Sequence, residues 1–279
     1  MKSTRSVHPA PYVGADLTDR FAGARPVDVC GLDGNLNATF WTWRWDEGRD
    51  RPIDVAGVMV DFTRANLVLI DGPQALAREG AQERECELIL DAPGKTGDKL
   101  PLPGGAFMGY IRSSVELFLA LDDAGLKNAR EVYPGACWPA LAGKWLAKKS
   151  TPEGVKARRD VLASFGVRGL PESPTHDQLD AALMALMAAA ADGKVEGLGV
   201  KAVGRPSFRD ADGILREGQM LVPVRLVGKA YVLRPVTPTG RKIVLEKLEA
   251  AQARIPRPEP AFIASREDID WENRTKSWM

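Results

Sequence analysis

Residues 175–193 read THDQLDAALMALMAAAADG and predict one amphipathic helix that carries two aspartates near its start. Thr175 and Gln178 have the T-x-x-Q spacing of a capping box, which places the beginning of the helix at Thr175. Asp177 and Asp180 are three residues apart, so they lie on the same side of the helix, beside a stripe of leucine and methionine. A carboxylate at the edge of such a stripe is partly desolvated and needs a cation, a hydrogen-bond donor or a raised pKa.

The composition is that of a globular protein with a balanced surface. Its 279 residues are 44% hydrophobic and 27% charged, with a formal net charge of +1. A net charge near zero means that any attraction for nucleic acid must come from a local patch. Cys30, Cys86 and Cys137 form no C-x-x-C pair, which indicates neither a zinc site nor a disulfide framework. The chain has no apolar signal segment and no run of about 18 apolar residues, so we expect a cytoplasmic protein without a membrane span.

Short apolar segments bounded by turn residues predict the strands of a sheet. The segments 26–32 and 36–43 flank Asp33-Gly34-Asn35, a strong signal for a β-hairpin. Further strands are predicted at residues 11–16, 66–71, 129–134 and in a hairpin over 222–235. Helical spacing of apolar residues predicts helices over residues 53–64, 107–125, 137–149, 152–166, 176–191 and 241–254. This order predicts a mixed α/β sheet, antiparallel in its first three strands and then parallel, with helices on both sides.

Two of the predicted strands end in an acid, Asp16 and Asp71. Ligands of an open α/β sheet bind outside the carboxyl ends of its strands, so both acids are well placed for chemistry. The alternative is that Asp16 caps a turn and that Asp71 begins the turn sequence Asp71-Gly72-Pro73. Glu131, within another predicted strand, is either a further member of the site or a surface acid.

Asp177 and Asp180 would form an oxygen-rich cluster with the strand-end acids if the fold brings all four together. Carboxylates suffice to hold Mg²⁺, which keeps several of its waters. Two such ions about 4 Å apart can hold the attacking and leaving oxygens in phosphodiester hydrolysis. The alternatives are a structural lysine or arginine partner for Asp180 and a favourable helix-dipole position for Asp177. His176 either relays a proton or is an exposed residue at the start of the helix.

Several motifs in chain order resemble the RNase H-like superfamily, especially its RuvC-like branch. More closely, the chain resembles a bacterial family of predicted RNase H-like nucleases that has long been catalogued as a domain of unknown function. The motifs that carry this resemblance are VGADLT (13–18), IDGP (70–73), EVYP (131–134), KKSTPEGVKARRDVL (148–162), HDQLDAA (176–182) and REGQMLVP (216–223).

The resemblance implies an RNase H-like nuclease domain over residues 11–225, followed by an accessory hairpin, helix and tail over 226–279. It also implies hydrolysis of phosphodiester bonds with two Mg²⁺ or Mn²⁺ ions. In that arrangement Asp16 bridges both ions, Asp71 and Asp180 each hold one, and Asp177 is a co-ligand on the same helix. Glu131 is a further catalytic candidate.

A basic segment precedes the acidic helix. Its cations are Lys144, Lys148, Lys149, Lys156, Arg158 and Arg159. These side chains either bind the phosphate backbone of DNA or RNA or form a solvated helix face in which Lys156 pairs with Asp160. Trp41, Trp43 and Trp45 alternate on one face of a predicted strand, so we expect them to pack within the protein rather than to stack on bases.

Two other function classes remain compatible with the sequence. A phosphotransferase of the actin-like or sugar-kinase fold also begins with an acid-ended strand, but the chain contains no G-x-x-x-x-G-K-[ST] phosphate loop and no duplicated half. A nucleic-acid-binding or partner-docking module could retain the fold without catalysis. The sequence leaves assembly into a homo-oligomer open.

Overall fold

The structure is a computed structural model of the 279-residue chain. It describes residues 10–22, 25–45, 53, 55, 58, 61–92, 95–102, 107–227, 230–232 and 263–265, with side chains described as far as residue 224. The predicted helix over 241–254, the tail apart from residues 263–265, and residues 54, 56, 57, 59 and 60 of the predicted helix over 53–64 lie outside the described residues. The boundary at residue 225 between a main and an accessory domain therefore stays a prediction.

A mixed sheet of nine strands forms the centre of the described part of the chain. Its strands are β1 (Tyr12–Asp16), β2 (Val27–Leu32), β3 (Ala38–Trp43), β4 (Leu67–Asp71), β5 (Ala129–Val132), β6 (Leu198–Val203), β9 (Met220–Val227), β10 (Ala230–Val232) and β11 (Ile263–Ser265). They follow the order β11-β10-β9-β5-β4-β1-β2-β3, and β6 pairs with β9. A separate small hairpin is formed by β7 (Phe208–Arg209) and β8 (Leu215–Arg216).

The directions of the strands confirm the predicted fold class. Strands β1, β2 and β3 are antiparallel neighbours, whereas β4 is parallel to β1 and β5 is parallel to β4. Strand β9 is parallel to β5, and β6 pairs with β9 in the antiparallel direction. This order is compatible with the RNase H-like sheet that the sequence motifs imply.

Helices cover both faces of the sheet. Within the described residues, the helices with complete bounds are α1 (Glu85–Leu90), α2 (Met108–Asp123), α3 (Pro134–Ala142), α4 (Pro152–Ser164) and α5 (His176–Ala191). Tyr12 of β1 belongs to the core that contains α3, α4 and α5, and Val13 belongs to the core that contains α2. Successive residues of the strand thus point to opposite faces, as the pleat requires.

The capping box predicted for α5 is present. The Thr175 hydroxyl accepts a hydrogen bond from the Gln178 amide at 3.0 Å, and the Gln178 side chain accepts one from the Thr175 amide at 3.1 Å. This start orients the helix so that Leu179, Leu183 and Met187 are fully buried against the sheet. The first turn, with its acids, then projects at the end of the sheet where β1 and β4 finish.

The prediction of one helix over residues 137–149 was wrong at both ends. Pro134 occupies the first turn of α3, where its fixed φ is favourable and its missing N–H costs no helical bond. The helix ends at Gly143, which has φ of 70° and donates its amide to the carbonyl of Pro139. A glycine in the left-handed region stops a helix even where apolar residues continue the pattern, as Trp145 and Leu146 do here. The lysines that follow therefore lie on a loop.

The tryptophans of β3 and the residues after it pack within the protein, as predicted. Trp43 is buried, and Trp41 and Trp45 pack against the same core as α2. The rings of Trp43 and Trp45 lie 4.5 Å apart, and the Trp45 indole N–H donates to the carbonyl of Thr18 at 3.0 Å. None of the three is thus free to receive a base.

A close contact between β1 and α5 leads to the first testable prediction. A Cβ atom at Gly14 would lie 2.1 Å from the carbonyl oxygen of Ala181 and 2.6 Å from the amide of Ala185, both backbone atoms of α5. Gly14→Ala should therefore lower the free energy of unfolding by about 3 kcal/mol or more, because backbone cannot yield as a flexible side chain does.

The measurement is chemical denaturation, and Gly34→Ala is the matched control. A Cβ atom at Gly34 would meet nothing within 4 Å, so this variant should change stability by no more than about 0.5 kcal/mol. Equal stabilities of the two variants would show that α5 does not lie directly on β1.

Candidate active site

The two strand-end acids lie side by side. Strands β1 and β4 are parallel neighbours whose register pairs Asp16 with Asp71, so both carboxylates leave the sheet at the same edge. Asp16 is only 5% exposed, and Asp71 is partly buried. The strand-end pattern of the sequence thus correctly indicated that these two acids come together.

The acids of α5 lie at the same edge because the helix crosses β1 at Gly14. Asp180 is buried, and each of its oxygens has a donor: the Trp138 indole N–H at 2.5 Å from Oδ1 and Lys149 Nζ at 2.9 Å from Oδ2. This arrangement supplies both a lysine partner, one of the alternatives that the sequence left open, and a neutral donor. Asp180 is therefore held in one orientation by α3 and by the loop after it.

Asp177 is the more accessible acid of the helix. Its Oδ2 accepts a hydrogen bond from the Arg25 guanidinium at 2.6 Å, and its Oδ1 lies 2.6 Å from His176 Nδ1. Ligand atoms of His176, Asp177 and Asp180 all lie within 4.8 Å of one another. Among the described residues these three side chains are close enough to hold a metal ion together, and the pair Asp16 and Asp71 ends the strands at the same edge of the sheet. His176 is thus brought into the acidic cluster, although the sequence indicated it only weakly.

The electrostatics show how closely the four acids approach one another. Burial raises the pKa of Asp16 well above its ordinary value, and the charges of Asp71, Asp180 and Asp177 raise it further. Burial and the charge of Asp180 raise the pKa of Asp71 to about 7, although the Tyr110 hydroxyl donates to its Oδ1 at 3.1 Å. Such shifts arise when carboxylates share a site of low dielectric constant.

Within the described part of the chain, no ion pair reaches Asp16 or Asp71. The positive charge of Lys149 lowers the pKa of both acids, but its ammonium group contacts Asp180. Two buried carboxylates without a direct cation are costly unless they bind one or keep a proton. The donor set consists of hard oxygen ligands with one imidazole, which fits Mg²⁺ or Mn²⁺.

A cavity of about 430 Å³ opens onto Asp16, Asp71 and Asp177. The polar side chains that line it include Asp16, Asp71, Glu131, Lys149, His176 and Asp177. Leu17, Pro73 and Met220 contribute an apolar wall. Convergent polar groups with shifted pKa values in an otherwise apolar cavity are the usual signature of a binding or catalytic site.

Glu131 lines the same cavity, but both of its oxygens are engaged. Arg84 Nη1 and Nη2 donate to the two carboxylate oxygens at 2.6 and 2.7 Å, and the amide of Gln74 donates to Oε2 at 2.8 Å. Because Gln74 follows the loop that leaves Asp71, Glu131 anchors that loop to β5. Its predicted catalytic role stays a prediction, and the observed contacts are those of a positioning residue.

Arg84 and its two glutamates form a buried ionic network that the sequence did not indicate. Arg84 is 0% exposed, and its Nε donates to Glu87 Oε1 at 2.9 Å. Thr96 donates to the same glutamate through its amide at 3.3 Å. The spacing of Arg84 and Glu87 on α1 was the only local signal, since the principal partner Glu131 lies 47 residues away.

The basic residues predicted to bind nucleic acid fall into two groups. Lys144 and Lys148 are exposed on the loop between α3 and α4, and Lys149 extends from that loop to Asp180. The cations of α4 have partners within the protein: Lys156 with Asp160 at 2.6 Å, Arg158 with the carbonyls of Ala147 and Gly154, and Arg159 with the carbonyl of Glu172. The pairing of Lys156 with Asp160 that one alternative expected is present, whereas the role of these cations in binding nucleic acid stays a prediction.

One family model matches part of the chain. Residues 95–202 match a family described as "Protein of unknown function (DUF429)". The matched region includes Glu131, Lys149, Asp177 and Asp180, whereas Asp16 and Asp71 precede it. Neither curated proteins nor solved structures gave a match. In the described residues, no helix has the length and apolar character that crossing a membrane requires.

The shifted pKa values predict an unusual dependence of stability on pH. The raised pKa of Asp71, about 7, means that the folded protein keeps a proton that the unfolded chain has lost above about pH 4. Without metal, the free energy of unfolding should fall as the pH rises from about 4 to about 7, by at most about 1.4 kcal/mol per pH unit for each such group.

Chemical denaturation at several pH values, in EDTA and in Mg²⁺, measures this effect. Mg²⁺ should remove the fall because it stabilises the ionised carboxylates of the folded state. Asp71→Asn should reduce the slope in EDTA, which separates this group from the other carboxylates. The same slope with and without Mg²⁺ would count against a cation site at these acids.

Proposed function

We propose that this protein is a metal-dependent nuclease that hydrolyses phosphodiester bonds in DNA or RNA. The observation that carries the proposal is the pair Asp16 and Asp71: a buried and a partly buried carboxylate in register, without an ion-pair partner among the described residues, beside the acidic start of α5. Such a concentration of negative charge is stable in a folded protein when it serves to bind a divalent cation. The family similarity and the RNase H-like-compatible sheet support the same reading.

The position of each acid would determine its role in binding the metal ions. Asp16 would contact both ions from the end of β1, Asp71 and Asp180 would each hold one, and Asp177 would act as a co-ligand. Two divalent ions bound there would supply an activated water and stabilise the leaving oxygen. Trp138 and Lys149 hold the Asp180 carboxylate in place, so its orientation is set before any substrate binds.

Phosphate recognition would come from cations at the edge of the cavity. Lys149 lines the cavity and is 47% exposed, so part of its side chain can face an incoming phosphate. Lys144 and Lys148 on the same loop extend the positive charge away from the acids. These cations would neutralise the backbone of the strand while the carboxylates hold the metal.

The test is cleavage of end-labelled DNA and RNA, single-stranded and duplex, with Mg²⁺, with Mn²⁺ and with EDTA. We expect cleavage with either metal and none in EDTA. Turnover of ATP without cleavage of any nucleic acid would instead favour the phosphotransferase alternative. Binding of nucleic acid that is independent of metal, with no cleavage, would favour the non-catalytic module, for which the ion pairs of Asp177 and Asp180 would be purely structural.

A further inference from the structure

Two exposed aromatic side chains lie on segments that also carry residues of the candidate active site: Phe107 lines the cavity, and Trp145 is on the loop that carries Lys149. Phe107 is 54% exposed and lines the cavity together with Asp16 and Asp71. Trp145 is 60% exposed on the loop between α3 and α4. An exposed aromatic ring offers a large apolar face on which a flat ligand can lie.

Phe107 has an unfavourable backbone conformation as well as an exposed ring. It precedes α2 with φ of 66° and ψ of −11°, the left-handed region that residues with a Cβ rarely adopt. Its carbonyl accepts the first bond of the helix, from the amide of Ile111 at 2.8 Å. Strain of this kind is concentrated at binding and catalytic sites, where it positions a side chain. Here it places an aromatic ring at the wall of the acidic cavity.

Trp145 combines aromatic surface with positive charge. Lys144 precedes it, Lys148 follows three residues later, and both are exposed. Two hydrogen bonds hold the backbone of the loop. Arg158 Nη1 donates to the carbonyl of Ala147 at 3.0 Å, and the Thr151 amide donates to the carbonyl of Lys148 at 3.0 Å. It is also tied to the site, since Lys149 reaches Asp180. An aromatic ring among lysines suits a polyanion that carries flat bases.

The size of the cavity limits which form of nucleic acid can reach the ring of Phe107. A space of about 430 Å³ is at the lower end of the range for small-molecule sites. A base that is paired and stacked inside a duplex cannot reach such a space without leaving the stack. An unpaired base can enter it, and its π-face can lie against an aromatic ring.

We propose that the substrate is a nucleic-acid strand with an unpaired nucleotide, whose base lies against Phe107 in the cavity while a neighbouring base stacks on Trp145. This inference rests on the proposed function, since it names the substrate class of the same site. Leu17, Pro73 and Met220 supply further apolar surface in the same cavity. The phosphate between the two bases then passes the acids at the carboxyl ends of β1 and β4.

The experiment measures equilibrium binding of fluorescent DNA and RNA oligonucleotides of equal length, by anisotropy, in Ca²⁺ to neutralise the carboxylates. The probes are a single strand, a fully paired duplex and a duplex with one unpaired nucleotide, each checked on a gel to be intact. We expect the single strand and the interrupted duplex to bind about tenfold more tightly than the full duplex. The DNA and RNA arms decide which polymer is preferred.

Substitution of each aromatic residue tests its contribution to binding separately. Phe107→Ala and Trp145→Ala should each weaken binding of the single strand about tenfold, with little effect on the duplex, and Trp145→Phe should retain most of the affinity. Phe208→Ala is the matched control, because Phe208 is 46% exposed on β7 and does not line the cavity. A 2-aminopurine probe should be quenched on binding to the wild type and less quenched by Trp145→Ala.

The outcomes separate this inference from the nuclease proposal. Equal affinity for paired and unpaired probes, or alanine variants that bind the single strand as well as the wild type, would overturn the role of the rings. If the wild type nevertheless cleaves duplex with Mn²⁺, the proposed nuclease function survives. Aromatic-dependent binding of unpaired strands without metal-dependent cleavage would support the inference on the substrate class and reject the nuclease.

Discussion

Replacing Asp16 with asparagine is expected to abolish metal-dependent cleavage and, in EDTA at about pH 9, to make the protein more stable than the wild type. Asp16 would contact both ions, so its loss should reduce the cleavage rate roughly 1000-fold or more. The gain in stability has a separate cause: burial and three neighbouring carboxylates oppose ionisation of Asp16. An amide cannot ionise, so the variant avoids this cost, and its Tm should be higher by at least about 2 °C.

The combination of the two effects is what makes this variant decisive. As the pH is lowered, the raised pKa of Asp16 lets the wild-type carboxyl keep its proton, and asparagine should then change Tm less than at pH 9. Asp160→Asn is the matched control, because Asp160 is an exposed acid paired with Lys156, and it should alter neither cleavage nor Tm measurably. Loss of cleavage together with loss of stability at both pH values would indicate misfolding and would remove the evidence for a metal site.

Replacing Arg84 with methionine is expected to lower the free energy of unfolding by about 3–5 kcal/mol. The guanidinium is fully buried and bonds to both Glu87 and Glu131. Removal of one partner leaves buried carboxylates uncompensated, which costs far more than the ion pair contributes. Because Glu131 also accepts from the amide of Gln74, the loop beyond Asp71 should lose its anchor, and cleavage should fall as well.

Chemical denaturation measures the effect on stability, with two comparison variants. Lys156→Met removes an exposed ion pair with Asp160 and should cost less than about 1 kcal/mol. The triple variant Arg84→Met, Glu87→Gln, Glu131→Gln removes the uncompensated charges and should recover part of the loss. A cost below about 1 kcal/mol for Arg84→Met alone would mean that the network is open to solvent.

The sequence predicted those parts of the fold that depend on local patterns. Period-two and continuous apolar segments located β1 to β5, and the capping box located α5 to within one residue. The short helix α1 was missed because its six residues provide too little periodicity. The wrong end of α3 came from reading Gly143 as an ordinary position in an apolar pattern, when its left-handed conformation is what ends the helix.

The candidate site was predictable only where a general rule relates the position of a residue in the sequence to its position in the fold. Acids that end parallel strands lie at the same edge of the sheet. Asp16 and Asp71 do so, in neighbouring strands. No such rule connects Lys149 to Asp180 or Arg84 to Glu131, because those pairs depend on how loops and helices pack. The exposure of Phe107 and Trp145 could not be predicted either, since burial is a property of the complete fold.

The contact between Gly14 and the backbone of α5 bears on when the protein acquires its chemistry. Synthesis proceeds from the amino terminus, and domains generally fold as units. Asp16 and Asp71 are synthesised early, whereas Asp177 and Asp180 follow more than a hundred residues later along the chain. A nascent chain still lacking that helix holds only half of the acidic cluster. An enzyme that cuts nucleic acid would thus be inert beside the messenger and the ribosomal RNA until its own translation had passed this point.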